Sequence, residues 1–184
     1  IKYPGKHKIL SVGRLVWQKN LENLIKASKI VNDELANVTH IHIGKFGELK
    51  DKIISLSKKF DLNHFYLLPN TSQKKIAHFY SWADIFTMAS VSEGFGVVYI
   101  EALACSTPIV TSDIPPMNKI VINNYNGLTA NPNSPKNIAK KVMTLLTNKN
   151  KYKIIKSNTI KSIEKFEIKK LKKQEARLYK ELLK

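Results

Sequence analysis

Glu93 and Glu101 stand with seven residues between them, in the run Ser90-Val91-Ser92-Glu93-Gly94-Phe95-Gly96-Val97-Val98-Tyr99-Ile100-Glu101. An ionised carboxylate only accepts hydrogen bonds, so a pair of them beside a helix start suits hydroxyl groups and is a poor partner for phosphate. Gly94 and Gly96 let the backbone come close to a ligand without side-chain interference. The N–H groups of Phe95, Gly96 and Val97 are expected to point outward at the start of the following helix. Taken alone, Glu93 is equally a first-turn acid favoured by the helix dipole. Glu101 is the stronger anomaly, because an isolated charge in an otherwise apolar helix is costly unless it meets a partner.

A second loop carries the opposite charge. Gly13-Arg14-Leu15-Val16-Trp17-Gln18-Lys19-Asn20 follows the apolar run Ile9-Leu10-Ser11-Val12 and leads into an amphipathic stretch. Gly13 is expected to allow a tight exit from a strand. Arg14 and Lys19 then bring two cations to a helix N-terminus, where free N–H groups already favour anions. A guanidinium gives forked contacts and an ammonium a point charge, which together suit a diphosphate. In a chain so rich in Lys, the same residues also read as a solvated surface loop. Neither a Gly-x-Gly-x-x-Gly fingerprint nor a P-loop is present. Phosphate cations on one loop and hydroxyl acceptors on another describe a nucleotide sugar.

Such loops need a scaffold that brings them to one edge. Short apolar runs at 8–12, 38–43, 65–68, 85–88, 108–111 and 128–130 read as buried parallel strands. Amphipathic stretches at 21–35, 48–60, 72–82, 97–105 and 135–146 read as helices, the last opened by Ser134-Pro135 with Ser as cap and Pro at the first helical position. The alternation predicts one doubly wound, Rossmann-like α/β domain of about six strands with helices on both faces. Residues 1–184 are read as that single domain, with a core over 8–148 and helix or paired helices over 150–184. In the latter, Ile168, Leu171, Leu178 and Leu182 can share an apolar face. In such sheets ligands bind beyond the carboxyl ends of the strands, so the loops at 13–20, 44–48, 68–72, 89–96 and 112–116 are where chemistry is expected.

Composition narrows the rest. The formal net charge is +17, yet only Arg14 and Arg177 are arginine, and Lys, Ile and Asn are abundant throughout. That pattern fits an AT-rich genome better than a dedicated nucleic-acid patch, so no nucleic acid is expected, although a basic nucleic-acid-binding α/β module is the alternative reading. A basic tail at 165–184 reads as a solvated helix face, or as electrostatic attachment to an anionic membrane carrying a lipid-linked acceptor. Cys105 is alone, which excludes an intrachain disulfide and a zinc cluster and suits a reducing cytoplasm. No apolar run reaches the roughly 20 residues of a membrane span, and the start lacks an initiator Met, so the numbering is expected to begin inside a longer protein.

The run from Glu93 to Glu101, continued as Ala-Leu-Ala-Cys-Ser-Thr-Pro-Ile-Val, resembles the acid–seven residues–acid signature of retaining GT-B glycosyltransferases. That family includes sucrose synthase, bacterial glycogen synthase relatives and many lipopolysaccharide and capsule glycosyltransferases. Val12-Gly13-Arg14-Leu15 with Lys19 resembles the family's first motif, and Asn126-Gly127-Leu128 followed by Asn131-Pro132 its closing strand. The resemblance spans about residues 8–148. It implies that Arg14 and Lys19 bind the donor diphosphate and stabilise charge on the leaving nucleotide. By the same resemblance, Glu93 contacts donor-sugar hydroxyls, the backbone of Phe95, Gly96 and Val97 holds sugar and phosphate, and Glu101 accepts from the ribose. The strand end at Leu67-Leu68 is implied to meet the base through main-chain groups. No metal and no other cofactor is implied, and the acceptor, a glycan or lipid, is expected on an amino-terminal domain absent from this chain. Without that domain little catalysis is expected. Ser106 stands where the family usually has Gly, and Pro115-Pro116-Met117-Asn118-Lys119 replaces its usual Gly-Gly…Glu run.

Three other features invite weaker readings. His40 and His42 alternate along one strand without a nearby acid or Cys, so edge or partly buried histidines are expected rather than a metal site. Trp17, Trp82, Tyr66, Phe79 and Tyr80 are expected to be core and loop packing residues. A phosphorylase-like enzyme on a related fold needs a Lys-anchored pyridoxal phosphate, for which no segment is apparent.

Overall fold

In the computed structural model, which describes residues 1–166, six parallel strands form one sheet in the order β3-β2-β1-β4-β5-β6. They are β1 (His7–Val12), β2 (Val38–Gly44), β3 (Phe65–Pro69), β4 (Ile85–Thr87), β5 (Ile109–Ser112) and β6 (Gly127–Ala130). The order reverses between β1 and β4, the switch point at which doubly wound sheets bind ligands. All six expected strands are present, with ends moved by a residue or two.

Side chains alternate across the sheet because successive strand residues point to opposite faces. Ile9, Ile85 and Val110 join the core under one layer, while Leu10, Phe86 and Ile109 join the core under the other. The first layer is α1 (Leu21–Glu34), α2 (Lys50–Lys59) and α6 (Pro135–Thr147), contributing Leu24, Ile53 and Val142. The second is α3 (Gln73–Trp82), α4 (Val97–Ala104) and a short α5 (Met117–Ile120), contributing Tyr80, Leu103 and Met117. Each fully buried Leu or Ile contributes about 1.5–3 kcal/mol. The last helix, α7 (Lys149–Ile163), places Ile155 in the first core and Ile163 against the second. It therefore ties the two layers together, packing on both α6 and α4.

Ser134 caps α6 by accepting from the Asn137 N–H at 3.2 Å, as its Ser-Pro start implies. α5 has no counterpart in the sequence reading, since four residues carry no helical period. The apolar face expected from Ile168, Leu171, Leu178 and Leu182, and the basic tail beyond residue 166, lie outside the described residues. Among the described residues no helix is long and apolar enough to cross a membrane.

Candidate functional site

The loop after β1 and the loop after β4 leave neighbouring strands at the switch point, and three contacts join them. Val91 N–H donates to Gln18 O at 2.8 Å. Asn20 Nδ2 donates to Ala89 O at 3.0 Å and also to Pro132 O at 2.8 Å, which ties in the loop after β6. Lys19 Nζ donates to Glu93 Oε1 at 2.5 Å, with side-chain exposures of 18% and 6%. Ser90 Oγ gives the same oxygen a second donor at 2.8 Å. The Glu93 carboxylate is thus held by two groups before any ligand arrives.

Arg14 is exposed one residue beyond Gly13, and no ion pair engages it among the described residues. Residues 17–19 form a single 3-10 turn, and Asn20 at φ 49° opens α1 without capping it through its side chain. Gly13 leaves β1 with a φ that is not positive, so its turn does not depend on a left-handed backbone. A Cβ on Gly13 would make only ordinary contacts, with Met88 Cε at 3.4 Å and Lys19 Cδ and Cε at 3.6 Å. The Gly13 carbonyl is approached so closely by Gly44 that a Cβ there would lie 1.8 Å from Gly13 O. Trp17 departs from expectation. It is 61% exposed, so it projects from the phosphate-type loop instead of packing in the core.

Gly96 opens α4 at φ 76°, a left-handed conformation that L side chains rarely adopt. A Cβ would also strike Met117 Cε at 2.7 Å, so α5, within the segment that departs from the family pattern, packs directly beneath this turn. Gly94 faces open space, where a Cβ would meet nothing within 4 Å. Phe95 and Val97 are 59% and 55% exposed. No side chain caps α4, and while Tyr99 N–H donates to Gly96 O at 3.0 Å, the N–H groups of Val97 and Val98 stay available to an anion or a carbonyl.

Glu101 has the partner that its apolar surroundings demanded. Tyr80, reaching from α3, donates its hydroxyl to Glu101 Oε2 at 2.9 Å. Burial and the adjacent carboxylate push the Tyr80 hydroxyl pKa far up, so the phenol stays protonated and acts as a donor. Nor is α4 buried all round, as its sequence suggested: Val97 and Ala104 are exposed and Glu101 is partly so. Leu68 is partly buried against the second core, on β3, which among the described residues pairs with β2 alone and stands at the edge of the sheet.

Below the Gly13 turn runs a buried polar chain. His42 Nε2 lies 3.0 Å from Gly13 O and its Nδ1 lies 2.8 Å from Ser11 Oγ. Ser11 Oγ is 2.8 Å from His40 Nε2, and His40 Nδ1 is 2.7 Å from Ser28 Oγ on α1. Both rings are fully buried on β2, deeper than the edge or half-buried positions expected. Burial first, then His42 nearby, lowers the His40 pKa to about 3. Burial likewise lowers that of His42 to about 4, against the opposing hydrogen bond to Gly13. With both rings neutral and Gly13 O able only to accept, His42 donates Nε2–H to it and accepts from Ser11. With its proton given to His42, Ser11 accepts from His40 Nε2–H, and Ser28 Oγ, which also lies 3.0 Å from Leu24 O as a donor, sits beside the remaining His40 nitrogen. Among the described residues no group of three or more His, Cys, Asp or Glu is arranged to hold a metal ion.

Sequence reasoning missed Ser90, Tyr80 and the bracing role of Asn20. Only the last had a signal, an Asn just ahead of a helix.

A family model for glycosyl transferases group 1 matches residues 1–162. An uncharacterized glycosyltransferase of Methanocaldococcus jannaschii is 32% identical over 173 residues, covering 94% of this chain and 48% of that protein. The capsular polysaccharide biosynthesis glycosyltransferase CapM of Staphylococcus aureus is 28% identical over 171 residues, covering 86% of this chain and 43% of that one. The crystal structure of the Anabaena protein HepE in complex with UDP-glucose superposes with a TM-score of 0.86 at 22% identity, over 96% of this chain and 49% of that chain. The chain spans about half the length of the curated relatives it matches.

Proposed function

The chain belongs to the glycosyl transferases group 1 family, and from that premise we propose that it is the donor-binding half of a retaining glycosyltransferase. The reaction moves a hexose from a nucleotide-diphosphate sugar to a glycan or lipid-linked acceptor in cell-surface polysaccharide or glycolipid synthesis. The observation that carries this reading is the stitching of a cationic loop to an acidic loop at the switch point, through Lys19 and Glu93. The UDP-glucose bound by HepE and the capsular role in the name of CapM agree with it.

In this reading Arg14 and Lys19 hold the diphosphate and offset the charge that grows on the leaving nucleotide, the largest catalytic contribution the chain makes. Glu93 accepts from sugar hydroxyls, and Glu101 from the ribose. The main chain at Phe95, Gly96 and Val97 faces sugar and phosphate, with Gly94 leaving room for close approach. The β3 end at Leu68 meets the base. Neither a metal nor another cofactor takes part. The acceptor site belongs to an amino-terminal domain, and a lipid-linked acceptor places the protein at the inner face of a membrane, where exposed Lys149, Lys153, Lys156 and Lys161 on α7 favour anionic lipid.

Calorimetric titration with UDP-, GDP- and ADP-sugars tests the reading. It predicts saturable binding to one of them that weakens with Arg14→Ala; no binding at millimolar concentration refutes it.

A further inference from the structure

Tyr80 is 1% exposed, and its only polar atom beyond the backbone points at Glu101. The ring is held by an aromatic stack in the core. It packs on Phe86 with centroids 5.5 Å apart, and Phe86 packs on Tyr99 at 5.7 Å. Its backbone is fixed as well, since Thr107 Oγ1 donates to Tyr80 O at 2.7 Å. The hydroxyl therefore has one place to be, and it occupies Glu101 Oε2. Glu101 Oε1 has no hydrogen bond among the described residues, and Glu101 stays partly exposed at the ligand edge. A free Glu side chain explores several rotamers, and fixing it costs free energy at the moment of binding. Anchoring one oxygen beforehand removes much of that cost and aims the other.

We propose that Tyr80 is a positioning residue for nucleotide recognition, holding Glu101 Oε2 so that Oε1 is presented to the ribose diol. The proposal rests on the donor-binding reading and adds to it a residue from a different helix. A carboxylate that swings freely must give up rotamer freedom to accept from the ribose. A carboxylate pinned at one oxygen offers the other in a constant direction, so the gain is specific to nucleotides that carry ribose hydroxyls.

The test compares UDP, GDP and ADP on the 184-residue chain, takes the tightest of them, and sets it against its 2′,3′-dideoxy counterpart. The unaltered chain is expected to prefer the ribonucleotide by about tenfold, the effect of a hydrogen bond to a charged group. Tyr80→Phe is expected to cut that preference to roughly threefold or less while leaving dideoxynucleotide affinity in place. A purely structural role for Tyr80 weakens both nucleotides alike and leaves their ratio untouched, which overturns the proposal. A second readout needs no substitution. In the unaltered chain with nucleotide bound, the Tyr80 hydroxyl proton should give a protected NMR resonance with a cross-peak to the Glu101 side chain, and its absence also overturns the proposal. If the unaltered chain shows no ribose preference, the ribose role of Glu101 falls and this inference with it. If no nucleoside diphosphate binds at all, the donor reading itself falls.

Discussion

Lys19 reaches from the loop after β1 to set its ammonium 2.5 Å from the Glu93 carboxylate ahead of α4. The contact joins two loops 74 residues apart in sequence and leaves Glu93 with a side chain only 6% exposed. Under the proposed function one cation serves two anions in turn, the resident carboxylate and the diphosphate of an arriving donor. Lys19→Met should therefore lower stability by on the order of 2 kcal/mol, since it strands a nearly buried charge, and should also abolish nucleotide binding. Urea unfolding and nucleotide titration on the same variant measure both.

Arg14→Met should separate the two effects. Arg14 is exposed and no ion pair engages it among the described residues, so its loss should leave the unfolding free energy within about 0.5 kcal/mol. Nucleoside diphosphate affinity should fall about tenfold. A variant that unfolds early but binds normally contradicts the assignment.

The buried histidines predict a pH dependence of stability. Their folded pKa values, about 3 for His40 and about 4 for His42, lie below the ordinary imidazole value of roughly 6.5. Between these limits the unfolded chain binds more protons, so stability rises with pH. It is fully present above about pH 6.5 and is lost as pH falls toward 4, at roughly 1.4 kcal/mol per pH unit for each ring. Urea unfolding at pH 5 and pH 7 should show the loss, and the pair of changes His40→Gln and His42→Gln should flatten the slope. An equal slope in that variant contradicts this origin.

Ser106 occupies the position at which the resembling family carries Gly, and it sits at φ 59°. The left-handed region costs an L side chain about 1–2 kcal/mol. Ser106→Gly should then raise stability by about 1 kcal/mol after the extra chain entropy of glycine is deducted. A thermal melt that moves downward shows that the serine has a compensating contact.

Two glycines should respond in opposite ways. Gly44→Ala drives a methyl into Gly13 O, at 1.8 Å before relaxation, and should cost about 3 kcal/mol or more while displacing the loop that carries Arg14. Gly94→Ala meets nothing within 4 Å; it should leave stability within about 0.5 kcal/mol and act on ligand affinity alone. Denaturation and titration of both variants make the comparison.

Much of this was legible in the sequence, because a parallel sheet writes each strand as a short apolar run and each covering helix as a longer period. The two loops that follow β1 and β4 were equally plain from their glycines and charges. Depth was not. Alternating His40 and His42 look the same at an edge as in the centre of a sheet, and only the strand order places β2 inside. Trp17 has the composition of a core residue but sits on a 3-10 turn, exposed to solvent. Tyr80 could not be paired with Glu101 from sequence, since their contact depends on how α3 packs on α4. The four residues of α5 are too few to show a helical period.

The central claim is that the Arg14–Lys19 loop and the Glu93–Glu101 segment form one donor site. The most direct measurement is an amide NMR titration of the chain with the tightest of UDP, GDP and ADP. A single site predicts that amides of residues 13–19 and 93–101 shift together with one dissociation constant, and that Glu101→Ala weakens that constant. Shifts confined to one segment, or two segments titrating with different constants, contradict it.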